Sequence, residues 1–293
     1  MWPFSFALRT LTCRYAALLR RSAVHLPALR LQPPSIPLRG VVQALWCVDV
    51  RPGQKAPDWS FMHPDGGAGL VFNVGQPLSI SHRAATADGP PGVCWEGVSE
   101  VSGRFWPREG QRAFGVRFWP AGAVALWGER TPLSEVGQLL AGAGRPPAVA
   151  SALGDLAARL VDMTPEAGLA CLDQWLRRYL RPPPSSPVVA AALRALPAAG
   201  SVAEVVAGAA VARRTLERHF REQVGLSPKG YMRLCRLAQA RDLLKARALQ
   251  GTPMPQVDIA LRLGYCDEAH FIRDFQRVIG MTPGHYGRRY RQG

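Results

Sequence analysis

Apolar positions recur along this chain with two different spacings. From about residue 31 to 145 they come in short runs, such as Gly69-Leu-Val-Phe-Asn-Val74 and Phe114-Gly-Val-Arg-Phe118. Turn formers bracket the runs: Pro64-Asp65-Gly66-Gly67, Asp88-Gly89-Pro90-Pro91 and Pro120-Ala121-Gly122. Short strands between Gly/Pro turns predict a β-rich sandwich or barrel. From about 148 to 180 the spacing becomes helical. Leu153, Leu156 and Leu160 recur at three and four, and Leu169, Leu172, Leu176 and Leu180 share one face beside Trp175 and Tyr179. Thr164-Pro165 supplies a cap and a first helical residue. The leucine stripe suits either a homodimer seam or packing on its own domain. Arg181-Pro-Pro-Pro-Ser-Ser-Pro187 cannot continue a helix and reads as a stiff linker.

The last hundred residues contain a repeat at an offset of 55. One copy is Leu216-Glu-Arg-His-Phe220-Arg-Glu-Gln-Val-Gly225-Leu-Ser-Pro228; the other is Phe271-Ile-Arg-Asp-Phe275-Gln-Arg-Val-Ile-Gly280-Met-Thr-Pro283. Leu216/Phe220 and Phe271/Phe275 are one helical turn apart. Gly225 and Gly280 suit the left-handed residue that ends a helix. Tyr231 and Tyr286 extend the match. A short apolar helix and a small-residue turn precede each copy, Val202–Val206 in one case and Val257–Leu261 in the other. Each unit therefore reads as a helix-turn-helix. Leu234, Leu237, Ala238 and Leu244 predict a strut over about 231–247 that holds the two units apart.

Charge supports this division. Residues 1–48 carry a net +6, 49–186 a net of zero and 187–293 a net +9, within a total of +15. A neutral middle and a basic C-terminal third imply a polyanionic partner for the latter. The chain has 33 Arg and 3 Lys, which coding bias explains, but bias does not explain the uneven distribution. Residues 1–30 are Arg-rich and acid-free, and read as a disordered or mis-called extension, with a basic DNA-touching arm as the alternative. Their apolar runs are shorter than the roughly 7–15 residues of a secretory signal core. No run approaches the roughly 20 residues of a membrane span, so no membrane partner is expected.

The recognition helices are expected over about 213–222 and 268–278. With Leu216 and Phe220 buried, Arg213, Arg214, Glu217, Arg218 and Arg221 face outward. Arg suits bidentate contact with guanine, and Glu accepts from cytosine N4. Arg214, Glu217 and Arg218 are the expected base readers, with Glu217 alternatively a solvated partner of Arg213 or Arg221. In the second unit Arg273 suits DNA. His270 suits a phosphate or base edge, or a structural place beside Phe271. Glu268 would repel phosphate. Arg288, Arg289 and Arg291 either add phosphate contacts or form a solvated tail.

Residues 187–293 resemble the DNA-binding domain of the AraC/XylS transcription regulators. The resemblance rests on Leu216-x-Arg-x-Phe220, Gly225-Leu-Ser-Pro228, Arg236-Leu-Ala-Gln-Ala-Arg-Asp-Leu-Leu244, Ile259-Ala, Gly264-Tyr265, His270-Phe-x-Arg-x-Phe275 and Gly280-Met-Thr-Pro-x-x-Tyr286. It implies a sequence-specific regulator of promoters on double-stranded DNA, with RNA polymerase as partner, and places base contacts at Arg214, Glu217 and Arg218. Two positions depart from the family. Ala210 stands where a turn Gly is usual, and Ala212 stands where a polar cap is usual. The missing cap weakens that helix start by about 1 kcal/mol; Asp267 is a proper cap in the second unit.

Pro64-Asp65-Gly66, Leu70-Val-Phe-Asn73, Gly115-Val-Arg-Phe118 and Pro120-x-Gly122-Ala123 resemble an uncharacterised domain found ahead of such modules. By analogy it is cupin-like, and senses an unidentified small-molecule effector or mediates dimerisation. The fold class is thus α+β and multidomain. An extension (1–30) precedes a β-rich domain (31–145), a helical connector with linker (146–186) and an all-α domain with two helix-turn-helix units (187–293).

Enzymatic chemistry has little footing. His63 and His82 lack the neighbours of a metal cupin, Asp65 reads as a turn residue, and no phosphate loop or nucleophile setting is present. No cofactor is expected. Trp46, Trp59, Trp95, Trp106 and Trp119 suit an apolar pocket or, more simply, a core. Cys13, Cys47, Cys94, Cys171, Cys235 and Cys266 show no C-x-x-C spacing and read as reduced thiols of a cytoplasmic bacterial protein.

Overall fold

The computed structural model describes residues 28–53, 60–81, 92–142, 149–181, 185–209, 211–250 and 254–290. Most of the extension expected over 1–30 lies outside these residues, as do Cys13, Trp59, His82, the 88–91 turn, Pro182–Pro184, Ala210 and Arg291.

Among the described residues the N-terminal half forms two antiparallel sheets. The larger has five strands in the order β1 (Leu29–Gln32), β2 (Val42–Asp49), β8 (Arg112–Phe118), β4 (Gly69–Asn73), β6 (Val93–Glu96). The smaller has three: β3 (Ser60–Met62), β7 (Gly103–Trp106), β5 (Ser79–Ser81). Of the two expected forms, these separate sheets make a sandwich. Alternation along β2 shows why. Leu45 and Cys47 belong to one core, while Trp46 and Val48 face a second core with Phe105 and Met62. Successive strand side chains point to opposite faces, so one strand serves both layers. Trp46 lies opposite Gly115 in the register, and its indole fills the space a side chain there would need.

Two short helices follow the last strand, α1 (Val124–Trp127) and α2 (Val136–Leu140), then α3 (Ala150–Leu160) and α4 (Pro165–Tyr179). Thr164 caps α4, its hydroxyl accepting from the Ala167 N–H. The helices of the segment expected as a connector form a third layer. Leu153, Leu156, Leu160, Leu169, Leu172 and Leu176 pack with Phe72, Phe114 and Val116 of the large sheet. Their stripe is occupied by the domain's own core and offers no homodimer seam.

The C-terminal part is helical: α5 (Pro187–Ala195), α6 (Val202–Ala209), α7 (Arg213–Val224), α8 (Pro228–Gln250), α9 (Gln256–Arg262), α10 (Glu268–Ile279) and α11 (Pro283–Arg288). Its core gathers the repeated apolar residues of both units with Leu234, Leu237 and Leu244 of α8. Burying each large side chain contributes about 2–3 kcal/mol. The strut, expected over 231–247, runs for 23 residues. At 1.5 Å per residue that is about 35 Å, close to one turn of B-DNA.

Candidate DNA-binding site

Each helix-turn-helix is a short apolar helix followed by a longer amphipathic one: α6 with α7, and α9 with α10. In α7, Leu216 and Phe220 are fully buried; in α10, Phe271 and Phe275 are. That packing fixes the rotation of each helix. It turns Arg213, Arg214, Arg218 and Arg221 to solvent on α7, and His270 and Arg273 on α10. Both helices end on a left-handed glycine, Gly225 at φ 83° and Gly280 at φ 84°. Their amides bond back to Arg221 and Gln276, as helix termination requires.

The helix starts differ. The Asp267 carboxylate accepts from the His270 N–H at 2.6 Å. Ala212 occupies the equivalent place in extended conformation and makes no side-chain bond. Within α7, Arg213 pairs with Glu217 at 3.0 Å, and Arg218 pairs with Glu222 at 3.3 Å. Arg218 also meets His219 Nε2 at 2.9 Å. Glu217 is half-buried, and of its two expected partners it takes Arg213. In the second unit Gln256 donates to Glu268 at 3.1 Å, which turns that carboxylate partly inward. The ring that His270 meets edge-on is Tyr265, at 5.2 Å, rather than Phe271.

Some of the organising residues carry no sequence signal of their own. Asp274 accepts from the Tyr265 hydroxyl at 3.0 Å and pairs with Arg233 of α8 at 2.7 Å. It thereby ties the second unit to the strut. Arg233 also approaches Glu100 of the β6–β7 loop at 3.8 Å. Arg289, expected as a phosphate contact or free tail residue, stacks over the Phe61 ring of β3 at 5.1 Å.

The β-rich half packs directly on this domain. His63 is stacked on Phe61, bonded to Ser102 Oγ at 2.8 Å and tilted against Tyr286. Burial, with the charges of Arg241 and Arg289 behind it, holds its imidazole well below the ordinary histidine range. Asp65 is more than a turn residue. Its carboxylate accepts from the Gly67 N–H at 2.9 Å and pairs with the guanidinium of Arg117. Burial alone pushes that carboxyl up. The Arg117 charge, with hydrogen bonds from Arg117, Gly67 and Gln43, overcomes it and holds the group below its ordinary value.

The four described tryptophans of the expected pocket are dispersed. Trp95 packs edge-on against Trp127 at 5.7 Å, Trp119 donates to the Arg39 carbonyl, Trp46 lies between the sheets, and Trp106 is 36% exposed. Among the described residues no group of three or more His, Cys, Asp or Glu is placed to hold a metal, and no helix is long and apolar enough to cross a membrane. Cys47, Cys94, Cys171, Cys235 and Cys266 are free.

Residues 205–289 match the family described as "Helix-turn-helix domain". A putative AraC-like transcription regulator of Streptomyces antibioticus is 40% identical over 106 residues, 35% of this chain and 33% of that protein. The C-terminal domain is similar to that of an AraC-like regulator. The HTH-type transcriptional regulator MtrA of Neisseria gonorrhoeae is 36% identical over 86 residues, 29% of this chain and 27% of its own length. The chain thus spans about a third or less of each of these relatives. Residues 30–138 match a domain of unknown function. The solved structure of ToxT from Vibrio cholerae aligns over 89% of this chain and 97% of that one at 8% identity and a TM-score of 0.36, and nothing about this chain follows from so distant a likeness.

Proposed function

We propose that the chain is a sequence-specific DNA-binding transcription regulator whose C-terminal domain reads two successive major-groove segments of a promoter. One observation carries this reading. Two helices of the same make pack with α8 in one core, each with its apolar edge buried and its cationic edge exposed. In α7, Arg214, Glu217 and Arg218 read base edges, while Arg213 and Arg221 contact phosphates. In α10, Arg273 and His270 make the weaker contacts, because only one of the two carries a permanent charge. RNA polymerase is the proposed protein partner, and the bacterial cytoplasm, at the nucleoid, the place of action. Residues 28–181 form the proposed regulatory unit, modulated by a ligand or signal and without enzymatic activity of its own. A homodimer would use a surface other than the buried leucine stripe of α4.

The test is genome-wide binding of the tagged chain beside an Arg214→Ala, Arg218→Ala double variant. The expected result is discrete promoter peaks that vanish in the variant. Peaks indifferent to the substitutions would refute the role of α7.

A further inference from the structure

Both recognition helices are gripped at their C-terminal ends by the β-rich half. The last four carbonyls of a helix have no partner within it. In α7 the Glu222 carbonyl accepts from the N–H of Leu133, in the segment between α1 and α2, at 2.9 Å. In α10 the Val278 carbonyl accepts from the N–H of Ser102, just before β7, at 2.7 Å. Each terminal glycine meets an apolar side chain of the same half: Val98 lies against Gly225, and Phe61 lies against Gly280. A third contact is made by the Pro64–Gly67 turn, which sits on the strut. Gly66, at φ 79°, brings its backbone so close to the Tyr231 ring that a Cβ there would fall 2.9 Å from it.

We infer that the β-rich half is a brace that fixes the placement of the two recognition helices relative to each other, with Phe61, Val98, Gly66, Ser102 and Leu133 as its positioning residues. A helix of 23 residues carries both units on one core, and long helices bend. A second bridge from unit to unit closes the frame. The brace contacts named above lie at the trailing ends of α7 and α10. Arg213, Arg214, Arg218, His270 and Arg273 stay exposed, so the frame is held in a state open to DNA. The Pro-Asp-Gly-Gly turn becomes the element that docks on the strut.

This inference rests on the proposed function, and its test separates the two. A duplex is selected from a random library by the full wild-type chain. Binding is then compared between that duplex and one with about half a helical turn, about 5 bp, inserted between the two contacted segments. The full-chain variants are Phe61→Ala/Val98→Ala and, independently, Gly66→Val. Each is expected to bind the selected duplex about tenfold more weakly and to lose about tenfold of the insertion penalty. The conservative pair Phe61→Leu/Val98→Ile is expected to retain both. Variants that keep the wild-type affinity and insertion penalty overturn the brace, and so do variants that bind more tightly, since the β-rich half would then obstruct DNA. Hydrogen exchange on the wild-type chain is independent of how the variants fold. The Ser102 and Leu133 amides are expected to be protected both free and on the selected duplex, and loss of protection on DNA overturns the inference. Failure of the wild-type chain to enrich any sequence overturns the proposed function together with the brace.

Discussion

Arg213 and Glu217 lie one turn apart on α7 and are joined by a 3.0 Å ion pair from Nε to Oε1. The Arg213 side chain is 68% exposed and that of Glu217 33%, so the pair contributes about 0.5 kcal/mol or less to folding. Its weight falls on DNA binding. While paired, Glu217 cancels a cation on the reading face; engaged, it accepts from a cytosine N4 amine. Glu217→Ala is therefore expected to raise affinity for random-sequence DNA several-fold and to relax selection at one base pair. Competition binding against single-base variants of the site checks both. A gain in non-specific affinity with base preference intact would leave Glu217 as a charge partner alone.

The two helix starts make a matched pair. Asp267→Ala removes a charged cap and is expected to lower stability by about 1 kcal/mol. Ala212 already holds the extended conformation of a cap at φ −63°, ψ 135°, and is exposed. Ala212→Ser is expected to raise stability by up to about 1 kcal/mol. Urea midpoints of the full-length proteins give both numbers. No gain at residue 212 would mean that the new hydroxyl bonds water in preference to the α7 amides.

Much of this arrangement was legible in the sequence. The C-terminal units declared themselves because a repeat doubles every signal: the Leu216/Phe220 and Phe271/Phe275 pairs, the two glycines and the two Ser/Thr-Pro starts all reinforce one another. The strands were legible as runs between turns. Less legible was what the pieces pack against. The apolar face of α4 has the same spacing whether it covers a sheet or a second subunit, so periodicity left both open until Gly168 appeared against Phe114. The asymmetry of the second unit was legible in Glu268, but its pairing with Gln256 was not, because that contact bridges two helices. Asp274 and Arg233 carry no spacing or motif that marks them in the sequence. Their value lies in meeting each other from elements 41 positions apart. Arg289, placed in a basic tail, reads equally as a phosphate contact or a solvated end, because composition carries no direction; it lies over the Phe61 ring.

Asp65 and Arg117 form a mostly buried ion pair, with side chains 15% and 20% exposed. Removing one partner of such a pair costs about 3 kcal/mol, since the other charge stays buried. Asp65→Ala is expected to show a loss of that order. The pH dependence has a fixed sign. The Asp65 carboxyl titrates lower in the folded chain than its ordinary value near 3.8. The stability it contributes is fully present above that unfolded value and is lost as pH falls through the folded one. Between pH 5 and pH 3 the wild type is therefore expected to lose stability more steeply than Asp65→Asn. Parallel curves from thermal melts across that range would remove Asp65 from the acid response.

Gly225 and Gly280 hold the same left-handed conformation yet differ in their surroundings. A Cβ on Gly225 would lie 3.3 Å from a Val98 methyl carbon, whereas one on Gly280 would find Phe61 at 3.8 Å, an ordinary contact. Substitution by Ala at either site incurs the left-handed penalty of about 1–2 kcal/mol. At Gly225 the crowding of Val98 adds to it, because that side chain is itself packed between the two cores. Gly225→Ala is thus expected to destabilise more than Gly280→Ala. Gly280→Asn is expected to cost least, since Asn tolerates this conformation. Denaturation midpoints of the three variants decide the order. Equal losses at the two glycines would mean that Val98 shifts freely, and the contact between the β-rich half and the first recognition helix would then be looser than its geometry implies.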